Sequence, residues 1–414
     1  MQRLTYLFAR LGCASVVILL GVSVSHAAPP LLPVCSWPFE VTGHGLTNVA
    51  TPDTNATYWV MPLDTRQWQT MVVHGQYPEA RFFNVTTYTA TGALVESLLD
   101  AEIAPDPGST NPFATPSAPG ADQYTVTISA SPAGAANALR VGGSRLALIV
   151  YRVYVPDHGF DRTGGAGVPA VSLVAPNGQV RQLRACPFAD AESSLSHLLL
   201  VLRASGFPEA ADFLQRLFTA ALPLLGTGTC PASPPGAAPI PFMIVPPGPD
   251  AFPNPHTTYR ETAGLCLPPG QIVVVRGKAA VFPNTYVGAS VFVPAFDDHI
   301  QLRYWSLCNN EHVSPSPVVA CQADFATERD ANQFYTYVLS DDPAPPPWLP
   351  PDATWLPWGT TSRPKTLTFR SVLPEDFPVT GAYTPRGVFC QETRFIDQGW
   401  QACFADAGLS MPLP

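Results

Sequence analysis

Arg303-Tyr304-Trp305-Ser306-Leu307-Cys308 joins an arginine to two aromatic residues and closes on a cysteine. A plainer version, Arg81-Phe82-Phe83-Asn84-Val85, stands earlier in the chain. Large aromatic side chains in an extended run suit a pleated surface buried on at least one face. An arginine at the head of such a run needs a partner, because an unpaired buried charge is costly. Each stretch therefore reads as the central strand of one β-sandwich, and the chain as a tandem of two.

The surrounding residues repeat in the same order. Tyr58 stands fourteen residues before Val72, and Tyr259 fourteen before Val273. Val72-Val73-His74-Gly75 answers to Val274-Val275-Arg276-Gly277. Asp100 follows Arg81 by nineteen residues, and Asp324 follows Arg303 by twenty-one. Tyr151-Arg152-Val153-Tyr154-Val155-Pro156 answers to Phe369-Arg370-Ser371-Val372-Leu373-Pro374. Weak matches kept in one order are the mark of an internal duplication. Between the copies the period changes. Leu195, Leu198, Leu199 and Leu202, then Phe213, Leu214, Leu217 and Phe218, fall at helical spacing on either side of Phe207-Pro208, which predicts a helical hairpin.

The expected fold class is mainly β: two homologous antiparallel β-sandwich domains joined by a helical hairpin and a Pro-rich linker. The divisions are a signal peptide over 1–27, a first sandwich over 28–186, the hairpin over 187–230, and a Pro/Gly-rich linker over 231–255. A second sandwich over 256–378 and a disulfide-clipped extension over 379–414 complete the chain.

The same motifs carry a resemblance. Asn254-Pro255 leading to Tyr259, Arg276-Gly277-Lys278, Arg303 to Cys308, and the turn Trp355-Leu356-Pro357-Trp358-Gly359 together resemble a group of uncharacterised exported bacterial proteins. The plan also resembles tandem β-sandwich domains of unknown function. The likeness spans residues 50–378 and is more specific in the second copy; His256-Thr257-Thr258 departs from that group's Asp-Asn-rich lead-in. It implies fold and export and brings no activity with it.

Composition points the same way. Of 414 residues, 46% are hydrophobic, 13% charged and 48 are proline. The charged share is about half the usual one, as expected of short strands and proline-punctuated loops. A net charge of −9 with no basic run argues against nucleic acid and anionic membrane as partners. Arg3 and Arg10, the apolar run Cys13–Val24, and the small residues of Ser25-His26-Ala27 form an export signal, with cleavage expected after Ala27. The run is too short to span a bilayer. The expected product is periplasmic or extracellular, with no membrane span after cleavage.

Eight cysteines follow the signal, and an even count in an exported chain reads as disulfides. The economical pairing is sequential: Cys35–Cys186, Cys230–Cys266, Cys308–Cys321 and Cys390–Cys403. Loops of roughly a dozen residues closed this way stabilise by about 3 kcal/mol each in the chain-entropy model. Zinc spacing is not met, since no two cysteines lie within two to four residues of each other.

Candidate site residues fall into two groups. Arg81, Arg152, Arg303 and Arg370 lie in apolar strands, with Asp100 and Asp324 as the natural partners within each repeat. They read as register-fixing ion pairs or as an anion clamp in a groove between the sandwiches. Trp305, Trp355 and Trp358, near Trp348, Tyr335 and Tyr337, read as core or as a stacking platform for a glycan or another flat small molecule. Asp297-Asp298-His299 and Asp157-His158 with Asp161 are metal-like clusters read as solvated loops. Thr163 to Ala170 has glycine spacing without a following helix, and reads as a turn. No hydrolase, zinc or phosphate-loop motif is present, and no metal or cofactor is expected. The reading is of a non-catalytic binding or structural protein; the alternative is a secreted hydrolase-like enzyme with a site between the sandwiches.

Overall fold

The computed structural model describes residues 35–44, 47–116, 122–132, 136–186, 230, 238–245, 252–292, 300–313, 316–373 and 379–410, with positions 199, 203, 208, 209, 211, 212 and 215. The expected signal, nearly all of the helical hairpin, Asp297-Asp298-His299 and parts of the linker lie outside the described residues.

The described chain is mainly β, laid out in four five-stranded sheets. Sheet I runs β1 (Phe39–Val41), β2 (Ala56–Asp64), β8 (Leu146–Pro156), β4 (Ala80–Thr89), β5 (Leu94–Leu99). Sheet II runs β10 (Val180–Leu183), β9 (Ala170–Val174), β3 (Thr70–Gln76), β6 (Gln123–Ser129), β7 (Ala138–Arg140). Sheet III runs β11 (Pro239–Ile240), β20 (Arg386–Gln391), β14 (Gln271–Lys278), β17 (Phe334–Ser340), β18 (Thr354–Pro357). Sheet IV runs β12 (Met243–Ile244), β13 (Thr257–Glu261), β19 (Lys365–Val372), β15 (Tyr304–Glu311), β16 (Val318–Ala323). The strand pairs are antiparallel except β6–β7 and β17–β18, which are parallel. From the second position onward, the orders of sheets I and IV correspond strand for strand, as do those of sheets II and III.

Sheets I and II enclose one core, built from Trp59, Met61, Phe83, Val85, Ile149 and Tyr151 on one side and Met71, Val73, Tyr124 and Ile128 on the other. Sheets III and IV enclose a second, from Val273, Val275, Tyr335 and Leu339 against Trp305, Leu307, Leu367 and Phe369. This is a β-sandwich-like arrangement. Burying one large aromatic removes roughly 150–250 Å² from water, so each contributes several kcal/mol at about 25 cal/mol per Å².

The near-continuous apolar run of β8 has a plain cause: both faces are covered. Ala147, Ile149, Tyr151 and Val153 enter the first core. Leu148 and Val150 pack with Leu199 and Ala211 on the outer face, and Tyr154 and Val155 pack against Tyr304, Val372 and Leu373 of the second half.

The four disulfides join Cys35 to Cys186, Cys230 to Cys266, Cys308 to Cys321 and Cys390 to Cys403, the sequential pairing. Asn177-Gly178 turns the chain from β9 into β10, which pairs with it. Other expectations need correction. The central strand expected at Arg303–Cys308 begins at Tyr304 and runs on through Asn309 and Asn310 to Glu311, so Arg303 stands just before it. The described part of the expected disulfide-clipped extension, residues 379–410, carries a strand and a helical segment besides the clip. β20 pairs with β14 along six residue pairs, inside sheet III, and the helical segment α1 (Glu392–Asp406), broken at Gly399 (φ 71°), follows it. Phe395, Cys403 and Phe404 of α1 cover Ile272, Val274 and Val388 on the outer face.

One glycine in each half is fixed by a buried tyrosine on the neighbouring strand. A Cβ at Gly75 would lie 2.6 Å from the Tyr124 ring, and one at Gly277 2.7 Å from the Tyr335 ring. Gly75→Ala and Gly277→Ala should therefore each destabilise by about 1–3 kcal/mol in urea unfolding. Gly143→Ala, where a Cβ meets nothing within 4 Å, should stay within about 1 kcal/mol of the parent.

Candidate functional site at the junction of the two halves

Sheets I and IV meet at their outer faces, where Ala56, Phe82, Leu99, Tyr154 and Val155 pack on Tyr304, Ala323, Val372 and Leu373. The strand arginines converge on this junction. Each half prepares a carboxylate in the same way. β5 ends in a 3-10 turn opened by Asp100, and β16 in one opened by Asp324. Asp100 accepts the backbone N–H groups of Phe83 (3.1 Å) and Ala101 (2.6 Å). Asp324 accepts those of Trp305 (3.1 Å) and Phe325 (2.7 Å).

The arginines then cross over. Arg81 Nη1 donates to Asp324 Oδ1 at 2.6 Å, and Arg303 Nη1 donates to both oxygens of Asp100 at 3.1 and 3.0 Å. The partners expected within each repeat are therefore exchanged: the ion pairs run between halves. The side chains of Arg81, Asp324 and Asp100 are fully buried, and that of Arg303 is 8% exposed. Arg81 also lies over the Phe282 ring at 4.9 Å and the Phe325 ring at 5.7 Å. Arg303 lies over the Phe113 ring at 5.8 Å.

Arg152 and Arg370 form a second reciprocal pair. Arg152 donates to Thr86 Oγ1 (3.1 Å), the Tyr88 hydroxyl and the Phe252 carbonyl (3.1 Å). Arg370 donates to Cys308 Sγ (2.7 Å) and the Thr51 carbonyl, with Asp53 Oδ2 at 3.5 Å. Phe252 lies just before β13 of the second half yet docks on the first; Thr51 lies just before β2 of the first half yet docks on the second. Asp53 Oδ2 accepts from the Tyr304 hydroxyl at 2.9 Å and the Ser306 hydroxyl at 2.7 Å, and Asn254 Oδ1 accepts from Asn84 Nδ2 at 3.1 Å. The backbone repeats the correspondence, here within each half. Val155 N–H donates to the Asn55 carbonyl and Leu373 N–H to the His256 carbonyl, with positive φ at Val155 (49°) and Leu373 (51°).

Electrostatics follow from burial. Burial pushes the Asp324 carboxyl up to about 6, while Arg81 and two backbone N–H groups pull it down. Burial raises Asp100 as well, against the pull of Arg303. Burial works against the Arg370 charge, but Asp53 and the nearby tyrosines outweigh it and raise its pKa. These groups are spent on each other and on backbone, and the arrangement can hold two halves in register without a bound anion.

Sequence drew attention to Asn254 only as part of the Asn254-Pro255 lead-in and did not single out Asp53. A signal existed, since each follows a proline and stands five residues before the repeated Tyr58 or Tyr259. Asp53, Cys308 and Cys321 place potential metal-ligating atoms within 4.8 Å of one another, but both sulfurs are committed to a disulfide.

The tryptophans do not form one platform. Trp305 and Trp358 are fully buried in the second core, and Trp305 Nε1 donates to the Ala280 carbonyl. Trp355 is half-buried and donates to Ser340 Oγ. Trp348 packs on Phe395. His158 meets the Tyr286 ring edge-on, and Asp161 Oδ1 binds Thr163 and Gly165 within its own loop. A cavity of about 100 Å³ lies beside Cys390–Cys403, lined by Gln271, Phe389, Gln391, Arg394 and Asp406. Pockets for organic ligands usually span about 300–1,000 Å³.

A crystal structure of an uncharacterised protein from Burkholderia cenocepacia shares this fold, with a TM-score of 0.53 and 13% identity over 87% of this chain and 84% of that one. The VPA0106 protein from Vibrio parahaemolyticus aligns at a TM-score of 0.38 and 11% identity, over 82% and 89% of the two chains. No family model and no curated protein matches the chain.

The raised Asp324 pKa sets a pH dependence. Between its ordinary value of 3.8 and about 6, the folded chain keeps a proton that the unfolded chain has lost, so this group makes the fold more stable as pH falls through that window. Asp324→Asn removes the titration. Parent and variant should be compared by urea unfolding at pH 7 and pH 5. The stability of the parent relative to the variant should rise at pH 5; a gap that stays constant or shrinks contradicts the reading.

Proposed function

We propose that the chain is an exported, non-catalytic structural protein of the cell envelope or extracellular space, built by duplication of one β-sandwich unit. The observation that carries this reading is the internal use of the four strand arginines. An anion clamp must turn a guanidinium edge toward its ligand. Arg81 and Arg303 are instead spent on the opposite half's aspartates. Arg152 and Arg370 are spent on strand neighbours and on the opposite half's lead-in loop.

Duplication is supported by the corresponding strand orders, including the parallel pairs β6–β7 and β17–β18, and by the exchanged contacts themselves. Export is supported by the four disulfides, which persist in oxidising compartments, and by the signal expected over residues 1–27.

A thermal-shift screen of the secreted form against divalent metals, oligosaccharides and lipids tests this. A ligand that binds the folded state raises the melting temperature with concentration. The structural reading predicts no saturable rise with any of the three classes. A saturable rise of several degrees with a glycan, abolished by Trp355→Ala, would replace it with a binding function.

A further inference from the structure

Cys308 and Cys321 face each other across β15 and β16 in direct register, and their two sulfurs have different surroundings. Cys308 is fully buried, and Arg370 Nη1 points at its sulfur from 2.7 Å. Cys321 is partly exposed and lies on β16, at the end of the strand order of sheet IV. A guanidinium beside a sulfur stabilises the thiolate over the thiol. In thiol–disulfide exchange the sulfur whose thiolate is better stabilised leaves faster. Asp53 lies within 4.8 Å of both sulfurs and does not distinguish them, whereas exposure and the guanidinium contact favour the same direction of attack.

We propose that Cys308–Cys321 is a thiol-exchange site that takes an external dithiol, with Cys321 as the sulfur attacked and Cys308 as the leaving thiolate. The incoming thiolate forms a bond to Cys321 Sγ while the Cys321–Cys308 bond breaks, and the electron pair stays on Cys308 Sγ beside Arg370. The second thiol of the reagent, as its thiolate, then displaces Cys321. The dithiol leaves as its own disulfide, and the protein holds two reduced cysteines. The consequence reaches the junction. Arg370 also holds the Thr51 carbonyl and faces Asp53, so a Cys308 thiolate puts a second negative charge next to Asp53 and competes for the guanidinium that docks the first half's lead-in loop.

The test uses the whole secreted protein and glutathione, a monothiol that stops at the mixed disulfide. After acid quench and alkylation, peptide mapping locates the adduct. Glutathione should be found on Cys321, with Cys308 alkylated; an adduct mainly on Cys308, or equal on both, overturns the proposal. Cys230–Cys266, partly exposed at both residues, serves as the reference for simple access. In Arg370→Met, opening of Cys308–Cys321 should slow on the order of tenfold relative to that reference, and Arg370→Lys should restore part of the rate. An unchanged ratio in Arg370→Met also overturns the proposal. The adduct mapping on the parent protein decides the matter if that variant does not fold.

Discussion

Arg81 and Asp324 lie 2.6 Å apart, both fully buried, in different halves of the chain. Taking two charges out of water costs several kcal/mol each, and their attraction offsets this only when geometry and accompanying hydrogen bonds are good. The condition is met here because Asp324 is first held by two backbone N–H groups of its own half. Removing one partner leaves a buried charge exposed to an apolar wall, a change that costs about 3–5 kcal/mol in comparable settings. The pair therefore adds little as net attraction and much as a penalty on any other arrangement of the halves.

The rest of the junction follows from that crossing. Once β4 and β15 stand close enough to exchange arginines, the loops before β2 and β13 lie over the opposite sheet. Each fills the position that a strand arginine needs covered: Phe252 over Arg152 and Thr51 over Arg370. The backbone accommodates this through positive φ at Thr51 (49°) and Phe252 (65°). Non-glycine residues there cost about 1–3 kcal/mol and persist only where the surroundings demand them. The two lobes are thus interlocked by their lead-in segments as well as by charge.

Much of this was legible in the residues. Aromatic and alternating runs marked the central strands, and the order of Tyr58, Val72, Arg81 and Arg152 against Tyr259, Val273, Arg303 and Arg370 marked the correspondence of the sheets. The cysteines paired as neighbours in sequence. The short outer strands β7, β12 and β16 were not legible, because a few residues at a sheet edge need little hydrophobic pattern. β20 was hidden by its distance from the other strands of the second half, although it pairs centrally with β14. The crossing of the ion pairs was hidden for a deeper reason. When two halves each carry one arginine and one aspartate at matching places, composition and spacing are the same for pairing within a half and between halves. Only the approach of sheets I and IV decides between them, and that approach depends on Phe82, Tyr154, Tyr304 and Val372 together.

A pair of double-mutant cycles in urea measures this choice. One cycle combines Arg81→Ala with Asp324→Ala; the other combines Arg81→Ala with Asp100→Ala. If the ion pairs run between halves, the first cycle shows a coupling of about 2–3 kcal/mol and the second about 0.5 kcal/mol or less. A larger coupling between Arg81 and Asp100 than between Arg81 and Asp324 would contradict the crossed junction.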